Sequence, residues 1–242
     1  MWAYNETFYQ IYPIGFCGAP VHNDGTTEHR ILKIADWAEY LQKLGIGSII
    51  LNPIFESDNH GYDTRDFLKI DCRLGTNADF KEVCQTLHKH DVKIMLDGVF
   101  NHTGDDSRYF NKYGNYDELG AYQSRDSKYY AWYNFKHFPD KYESWWGIDV
   151  LPSVNESCDS YANFITGTDG VIDHWIRRGV RGFRLDVADE LPDEFIEKIR
   201  NAAHAARADA LIIGEVWEDA SNKIAYSKRR KYLQGKELDS VM

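Results

Sequence analysis

Short apolar runs alternate along this chain with segments whose apolar residues recur every three or four positions. The runs are rich in β-branched and aromatic residues and stop at polar or turn-forming residues, which is typical of buried strands. We therefore predict strands at residues 8–12, 48–51, 92–100, 181–187 and 211–217.

Helical spacing appears between the predicted strands. Asn77 is suited to cap one of these helices, because its side chain can accept a hydrogen bond from a free backbone N–H. A basic stretch at the end of the series also reads as helical, and we expect its residues 228–231 to face solvent. The predicted helices cover residues 34–44, 80–87, 163–178, 193–207 and 223–232.

Strands that alternate with helices predict an α/β fold in which helices cover a parallel sheet. An open sheet and a barrel both fit, but no G-x-G-x-x-G sequence follows the first strand, which weakens the dinucleotide-binding form of the open sheet. Polar residues follow most strands at their carboxyl ends, where a barrel builds its active site. They are Asn52, Asp97, Asn101, His102, Asp186, Glu215 and Trp217.

Regular patterning is lost in residues 103–155, a stretch rich in Tyr, Asn, Asp, Lys and Gly. Loops of this length inside a compact domain are usually functional. We therefore divide the chain into a first barrel segment at 1–102, an inserted loop domain at 103–155 and a second barrel segment at 156–242.

The composition narrows the classes of partner. The chain has 242 residues and a formal net charge of −10, whereas nucleic acids and anionic membrane surfaces both favour basic proteins. Its first residues lack the basic region and apolar run of a signal peptide, and no stretch approaches membrane-spanning length. The 4 cysteines form no C-x-x-C pair, and scattered cysteines favour a reducing compartment. We expect a cytoplasmic protein that binds neither nucleic acid nor membranes.

Three short motifs place carboxylates at strand ends. Residues 97–102 read Asp-Gly-Val-Phe-Asn-His, residues 182–186 read Gly-Phe-Arg-Leu-Asp, and residues 214–217 read Gly-Glu-Val-Trp. A single such carboxylate is readily explained as a structural ion pair or a solvated strand end, because an unpaired buried charge is costly. Three motifs on consecutive strands favour a shared site, and paired carboxyl groups are what cleavage of a glycosidic bond requires.

These motifs match D-x-x-x-N-H, G-x-R-x-D and E-x-W, and through them the chain resembles glycoside hydrolase family 13, the α-amylase family. Residues 8–13, 60–67 and 151–155 resemble further segments of that family, and residues 184–188 are most similar to neopullulanases, cyclomaltodextrinases and maltodextrin glucosidases. The resemblance implies a (β/α)8 TIM barrel, of which this chain supplies about five units. It also implies retaining hydrolysis of α-1,4 or α-1,6 glucosidic bonds in maltodextrins or starch-like glucans.

The resemblance assigns the two principal catalytic roles. Asp186 would be the nucleophile that forms a covalent glycosyl-enzyme. Glu215 would be the acid that protonates the leaving oxygen and then the base that activates water. Arg184 lies two residues before Asp186, so both side chains point to the same face of the strand. Its charge is expected to keep Asp186 ionised, with a low pKa.

Other positions carry over from the family as substrate-binding residues. Tyr62 would stack under the sugar, and His102 would donate to its hydroxyls. Asp97 would hold Arg184 and the hydrogen-bond network of the site, and Trp217 would pack beside the acid. Asp189 fits a surface position better than a position in the cleft.

This chemistry requires no cofactor. Asn101 binds a structural calcium ion in many family members, but that site is often absent in the neopullulanase-like branch, so the resemblance allows calcium without requiring it. Trp145 and Trp146, near the end of the inserted segment, fit two interpretations equally. Their faces could stack on sugars, or they could pin the segment to the barrel.

The family barrel has eight strand-helix units, and its closing Phe-x-x-x-x-His-Asp motif does not occur in this sequence. Residues 239–242 resemble the start of a sixth strand. From the sequence we expect a truncated chain that needs the C-terminal half of its barrel as a partner, with a homodimer open for the full-length protein. Two open edges and an uncovered apolar inner face would make this chain alone poorly soluble and inactive.

Two other functions remain open. A transglycosidase would use Asp186 and Glu215 with a sugar hydroxyl in place of water, and product analysis would separate it from a hydrolase. A non-catalytic barrel relative that acts as a binding or scaffold protein is disfavoured, because every catalytic residue expected from the first five strands is present.

Overall fold

The chain forms an α/β structure built on a parallel sheet. The computed structural model describes residues 2–242. Its strands, in chain order, are β1 (Phe8–Ile11), β2 (Ser48–Leu51), β3 (Phe55–Ser57), β4 (Thr64–Ile70), β5 (Lys93–Gly98), β6 (Phe135–His137), β7 (Lys141–Tyr142), β8 (Gly182–Leu185), β9 (Leu211–Gly214), β10 (Ile224–Ala225), β11 (Lys228–Arg229) and β12 (Ser240–Val241).

Six of these strands form the parallel sheet, in the order β1-β2-β5-β8-β9-β12. The order never reverses along the chain, so the sheet is half of a β/α barrel and not a doubly wound sheet, which has a switch point. Its first five members, β1, β2, β5, β8 and β9, lie where the sequence predicts strands. β2 has the predicted bounds, and the other four are shorter than predicted. The sixth, β12, is the strand that residues 239–242 indicate.

Helices pack against this sheet and against one another. No helix within residues 2–242 is long and apolar enough to cross a bilayer. The helices are α1 (Pro13–Cys17), α2 (Leu32–Asp36), α3 (Ala38–Lys43), α4 (Asn77–Lys89), α5 (Asp159–Thr166), α6 (Val171–Ile176) and α7 (Asp193–Ala206).

Two predicted helices are each divided in two. The helix predicted at 34–44 consists of α2 and α3, which meet at Trp37. The helix predicted at 163–178 starts earlier and breaks at Gly167, whose extended backbone ends α5. In both cases the apolar spacing is continuous, so the pattern alone does not show the break.

Thr76, and not the predicted Asn77, caps α4. The Thr76 hydroxyl accepts from the backbone N–H of Asp79 at 3.2 Å, and the Asp79 carboxylate accepts from the Thr76 N–H at 2.7 Å. This reciprocal pair is a capping box, which satisfies two backbone donors at once.

The strands β8 and β9 approach each other closely at Gly182. A Cβ there would lie 1.9 Å from the carbonyl oxygen of Leu211, so any other residue would force the two strands apart. The register pairs Gly182 with Leu211 and Leu185 with Gly214. The residues that follow these strands, Asp186 and Glu215, are therefore neighbours.

A 3-10 helix at Trp2–Asn5 covers part of the inner face of the half-barrel. Trp2 and Phe8 pack against the side chains that point inward, and the Trp2 indole N–H donates to the Asp209 carbonyl at 2.8 Å. The expectation of an uncovered apolar inner face is therefore wrong for the residues under this cover. They are Ile50, Met95, Leu211 and Ile213, all at most 6% exposed.

Residues 103–155 hold the β6–β7 pair and short 3-10 helices. Aromatic side chains give the segment its own packing, as between Tyr109 and Trp132, whose ring centroids are 5.3 Å apart. The backbone N–H of Val154 donates to the Asn101 carbonyl at 3.0 Å, which joins the end of the segment to the strand end after β5. The proposed boundaries at 102 and 155 stay a prediction.

Residues 223–232 form a hairpin and not the predicted helix. β10 pairs antiparallel with β11, and the turn residues Tyr226 and Ser227 have φ values of 52° and 62°. Arg230, predicted to face solvent, is 5% exposed and lies 2.5 Å from a carboxyl oxygen of Asp193. Charge pairing with a distant residue buries it, which no local pattern reveals.

Arg73 braces the loop that precedes the candidate site. It is fully buried and paired with Asp71 at 2.7 Å, and its Nη1 donates to the carbonyls of Val21 and Asn59 at 2.7 and 2.8 Å. Asn59 in turn donates to Asp63 at 2.8 Å, beside the Tyr62 position.

Replacing Arg73 with Leu should lower the free energy of unfolding by about 3–5 kcal/mol, because Asp71 is left buried without its cation. Urea denaturation of the protein expressed from its complete reading frame measures the loss. The exposed pair Lys43–Glu39 supplies the control, since Lys43→Ala should change little. Equal effects of the two substitutions would contradict the bracing role.

Candidate active site

Three carboxylates from neighbouring strands meet at the guanidinium of Arg184. Its Nη1 lies 2.8 and 2.9 Å from the two carboxyl oxygens of Asp97 and 2.8 Å from Oδ1 of Asp186. Its Nη2 lies 3.0 Å from Oε2 of Glu215. The register explains this, because Asp97 pairs with Arg184 across β5 and β8, and Asp186 shares the face of Arg184. The four residues that the motifs single out are thus brought together.

Backbone groups after Asp186 also hold Glu215. Val187 has φ 40°, a region that β-branched residues rarely adopt and that costs about 1–3 kcal/mol. In this conformation its N–H donates to Oε2 of Glu215 at 2.9 Å. The Ala188 N–H donates to the Glu215 carbonyl at 3.0 Å. A strained turn therefore links the two candidate catalytic carboxylates.

The predicted low pKa of Asp186 is wrong. Asp186 and Asp97 are 7% and 1% exposed, and burial raises the pKa of both carboxyls above the ordinary aspartate value. Arg184 opposes this rise, but its single charge is shared among three carboxylates. The negative charge of Glu215 further raises the pKa of Asp186. The cluster therefore holds a proton more readily than an isolated aspartate does.

Tyr62 and His102 form one wall of the site. The Tyr62 hydroxyl accepts from Asn52 at 2.7 Å and donates to Asp97 at 3.3 Å, which fixes the ring beside the carboxylates. Burial lowers the pKa of His102 to about 4, so its ring is neutral at pH 7. Its Nε2 lies 3.1 Å from the Tyr62 carbonyl, which can only accept. Donation from His102 to a sugar hydroxyl requires the ring to exchange this partner.

These residues lie in a cleft of about 410 Å³. The strand ends supply its polar wall, and the inserted segment supplies apolar side chains opposite them. A mostly apolar cleft with a few convergent polar groups is typical of a small-molecule site. The lining residues are His60, Tyr62, His102, Trp145, Ile148, Val150, Leu151, Arg184, Asp186, Val187, Glu215 and Trp217.

Trp217 lines this cleft and Trp146 packs against Trp217, so the two form an exposed rim beside the cleft. Their rings meet edge to face at 5.5 Å, and Trp145 stacks on Trp146 at 5.2 Å. The Trp146 indole N–H donates to Oε1 of Glu190 at 2.7 Å, which ties the inserted segment to the barrel. Trp146 and Trp217 are 65% and 47% exposed, so both side chains stay accessible to a ligand although Trp145 covers one face of Trp146.

Asp189 is a hydrogen-bond junction and not the surface residue that the sequence suggests. Its Oδ2 accepts from the Trp217 N–H at 3.1 Å and from Lys223 at 2.6 Å, and its Oδ1 accepts from the Tyr232 hydroxyl at 2.7 Å. Asp189 thereby joins the loop after β8 to the loop after β9, which carries Glu215.

The contacts at Asn101 do not assemble a calcium site. Calcium takes six to eight oxygen ligands, whereas the Asn101 amide nitrogen lies 3.5 Å from Glu190, its nearest carboxylate partner. Glu156 stands near Glu190, but burial and then the Glu190 charge raise the pKa of Glu156 to about 8.

A separate acidic cluster is already neutralised. Within residues 2–242, the group close enough to share an ion is Glu56, Asp71 and Cys72. Its carboxylates are paired with Lys69 at 3.1 Å and with Arg73 at 2.7 Å. These cations take the place that a metal would have.

Glu190 and Val187 are parts of the site that sequence reasoning missed. The contact of Glu190 with Trp146 spans the barrel and the inserted segment, so no local pattern marks it. The positive φ of Val187 cannot be predicted from the sequence, because β-branched residues in an apolar run normally adopt strand geometry. For Leu151 there is a partial signal, because it belongs to the segment 151–155 that the family resemblance singles out.

Residues 10–242 match the model of the α-amylase catalytic domain. The chain belongs to the α-amylase family. Amylopullulanase of Thermoanaerobacterium thermosulfurigenes is 44% identical over 78% of this chain and 11% of its own length. Maltogenic α-amylase of Bacillus acidopullulyticus and neopullulanase 2 of Thermoactinomyces vulgaris are each 30% identical over 100% of this chain and 42% of theirs. Such relatives of this chain are α-amylase-family glycosidases.

Solved structures agree with the half-barrel. A protein from Thermus thermophilus superposes with a TM-score of 0.82 at 31% identity, covering 100% of this chain and 52% of that one. Cyclic α-maltosyl-(1→6)-maltose hydrolase from Arthrobacter globiformis, solved with that saccharide, gives 0.81 at 26% identity and covers 100% and 55%. The chain thus spans about half the length of these structures. The predicted family and fold class are confirmed.

Replacing Arg184 with Met should destabilise the fold more at pH 8 than at pH 5. Without the guanidinium, the pKa values of Asp97 and Asp186 rise further in the folded state, so stability falls as pH rises from about 4 through those values. At pH 8 we expect a loss of about 3–5 kcal/mol. Urea denaturation at the two pH values measures it.

Arg125→Met is the control, because Arg125 is exposed over the Phe138 ring and the structure places no carboxylate within ion-pair distance of it among residues 2–242. Its effect should not depend on pH. An equal loss at pH 5 and pH 8 for the Arg184 variant would contradict the shared role of that guanidinium.

Proposed function

We propose that this chain carries the nucleophile and the acid/base of a retaining α-glucan hydrolase. Asp186 attacks the anomeric carbon, and Glu215 first protonates the leaving oxygen and then activates the water that releases the sugar. The bonds cleaved are α-1,4 or α-1,6 glucosidic bonds. The observation that best supports this is the single guanidinium, Arg184, that Asp97, Asp186 and Glu215 share inside the cleft.

The other side chains of the cleft have roles that fit this reaction. The Tyr62 ring, fixed by its bond to Asp97, offers a face on which a sugar can stack. Asp97 holds Arg184 through two short contacts, and Arg184 in turn aims Asp186. His102 and Trp217 line the cleft on either side and complete the sugar-binding surface.

The substrate class rests on the relatives. Those at or above 30% identity include an amylopullulanase, a maltogenic α-amylase and cyclomaltodextrinases. Solved structures at 26–27% identity include one with maltose and one soaked with acarbose. Maltodextrins or starch-like glucans are therefore the substrates that we propose. The proposal uses no cofactor, because the two carboxyl groups supply both the nucleophile and the proton.

Asp186→Asn and Glu215→Gln should each abolish most turnover of maltohexaose while the oligosaccharide still binds. The first removes the nucleophile, and the second removes a proton transfer that contributes about 10²- to 10⁴-fold. Steady-state rates and calorimetric titration, on the protein expressed from its complete reading frame, measure the two quantities.

Two controls make this test specific. Glu218→Gln alters an exposed carboxylate outside the cleft and should leave turnover near that of the parent. An activated aryl glycoside, whose leaving group needs little protonation, should recover much of the first chemical step in the Glu215 variant and none in the Asp186 variant. Turnover that survives Asp186→Asn would rule out the nucleophile assignment.

On acidification, the hydrolysis rate should begin to fall at a higher pH than it would if the nucleophile had an ordinary aspartate pKa. Burial raises the pKa of Asp186, so the nucleophile becomes protonated and inactive well above pH 4, the usual range of an aspartate. We expect the acid limb of kcat/KM for maltohexaose to have its midpoint above about pH 5. A full rate maintained down to pH 4 would contradict the burial argument.

A further inference from the structure

A line of cavities leads away from the candidate active cleft. The cleft of about 410 Å³ shares Val187 and Trp217 with a small cavity, which shares Asp189 and Glu190 with a third cavity of about 270 Å³. Trp217 follows Glu215, the proposed donor to the leaving oxygen, by two residues. We assign this end of the cleft to the leaving group because it carries Trp217, the neighbour of the proposed proton donor.

The β10–β11 hairpin forms the far wall of the third cavity. Tyr226, at the tip of the hairpin, lines this cavity and is 74% exposed. Tyr226 and Ser227 both have positive φ, a turn geometry that usually selects Asn-Gly. The chain thus holds a large aromatic residue at a position where such residues are disfavoured, at the open edge of a cavity.

The polar groups around Tyr226 suit a neutral, hydroxyl-rich ligand. Glu190 and Asp189 line the cavity as hydrogen-bond acceptors, and they lie near enough to the Tyr226 hydroxyl to add to the effect of burial in raising its pKa. The basic residues of the same wall, Lys228 and Arg230, are already paired with carboxylates. An anion would find no free cation here, whereas sugar hydroxyls would find acceptors beside an aromatic face.

We propose that Tyr226 forms a distal subsite on the leaving-group side, where its ring stacks on a glucosyl unit of an α-glucan chain too long for the cleft alone. This inference rests on the proposed function and adds a specificity determinant to it. We expect a maltose unit bound in the cleft to be too short to reach the hairpin, because a further cavity separates the two. The subsite therefore favours long maltodextrins over short ones.

The test compares binding of maltoheptaose and maltose. The protein, expressed from its complete reading frame and carrying Glu215→Gln to prevent cleavage, is titrated calorimetrically with each saccharide. Adding Tyr226→Ala should weaken maltoheptaose binding about three- to tenfold, the size of an aromatic contact, and leave maltose binding unchanged. Tyr226→Phe should retain most of the affinity, since it keeps the ring.

Ile224→Ala is the matched control, because Ile224 lies on the same hairpin and is 66% exposed but does not line the cavity. It should leave both affinities unchanged. Unchanged maltoheptaose affinity in Tyr226→Ala, an equal loss in Ile224→Ala, or an equal loss for maltose would each overturn the subsite. If the protein that carries Glu215→Gln alone binds neither saccharide, the proposed function fails and this inference fails with it. That result is seen without any Tyr226 variant.

Discussion

The whole candidate site depends on one guanidinium that serves three carboxylates. Arg184 contacts Asp97, Asp186 and Glu215 at 2.8–3.0 Å, and these residues stand at the ends of three adjacent strands. The parallel register of β5, β8 and β9 is what lets one side chain reach all of them. Gly182, two residues before Arg184 on the same strand, allows the close approach of β8 and β9 that brings the carboxylates together.

The sharing of this charge also explains the acid–base behaviour of the cluster. One cation beside three carboxylates leaves the group negative, and burial penalises that charge. An argument from the Arg184–Asp186 pair alone predicts a low pKa for Asp186 and has the wrong sign. The sign depends on how many partners the arginine has and on how little water reaches them, neither of which adjacent residues in the sequence reveal.

Much of the fold and the centre of the site could be predicted from the sequence, because strand-end motifs such as 182–186 carry both the strand and its chemistry in a few residues. Features that depend on distant partners could not. Arg230 reads as a solvated helical residue but is buried against Asp193, and Glu190 finds Trp146 across the inserted segment. The divided helices keep a continuous apolar spacing, so only the three-dimensional packing shows where they break.

The inserted segment and the barrel contribute to the cleft in different ways. The strand ends supply the polar groups, and residues such as Ile148 and Leu151 supply an apolar wall. The rim formed by Trp146 and Trp217 joins the two parts. This chain spans about half the length of its solved relatives.

The most direct test of the account is to trap the glycosyl-enzyme. The protein from the complete reading frame is incubated with a fluorinated α-glucosyl fluoride that forms the intermediate faster than water removes it, and the labelled peptide is identified by mass spectrometry. The account predicts one added sugar, on the peptide that contains Asp186 and specifically on its carboxyl group. A label on Asp97 or Glu215, or continued turnover of the reagent with no labelled protein, would contradict it.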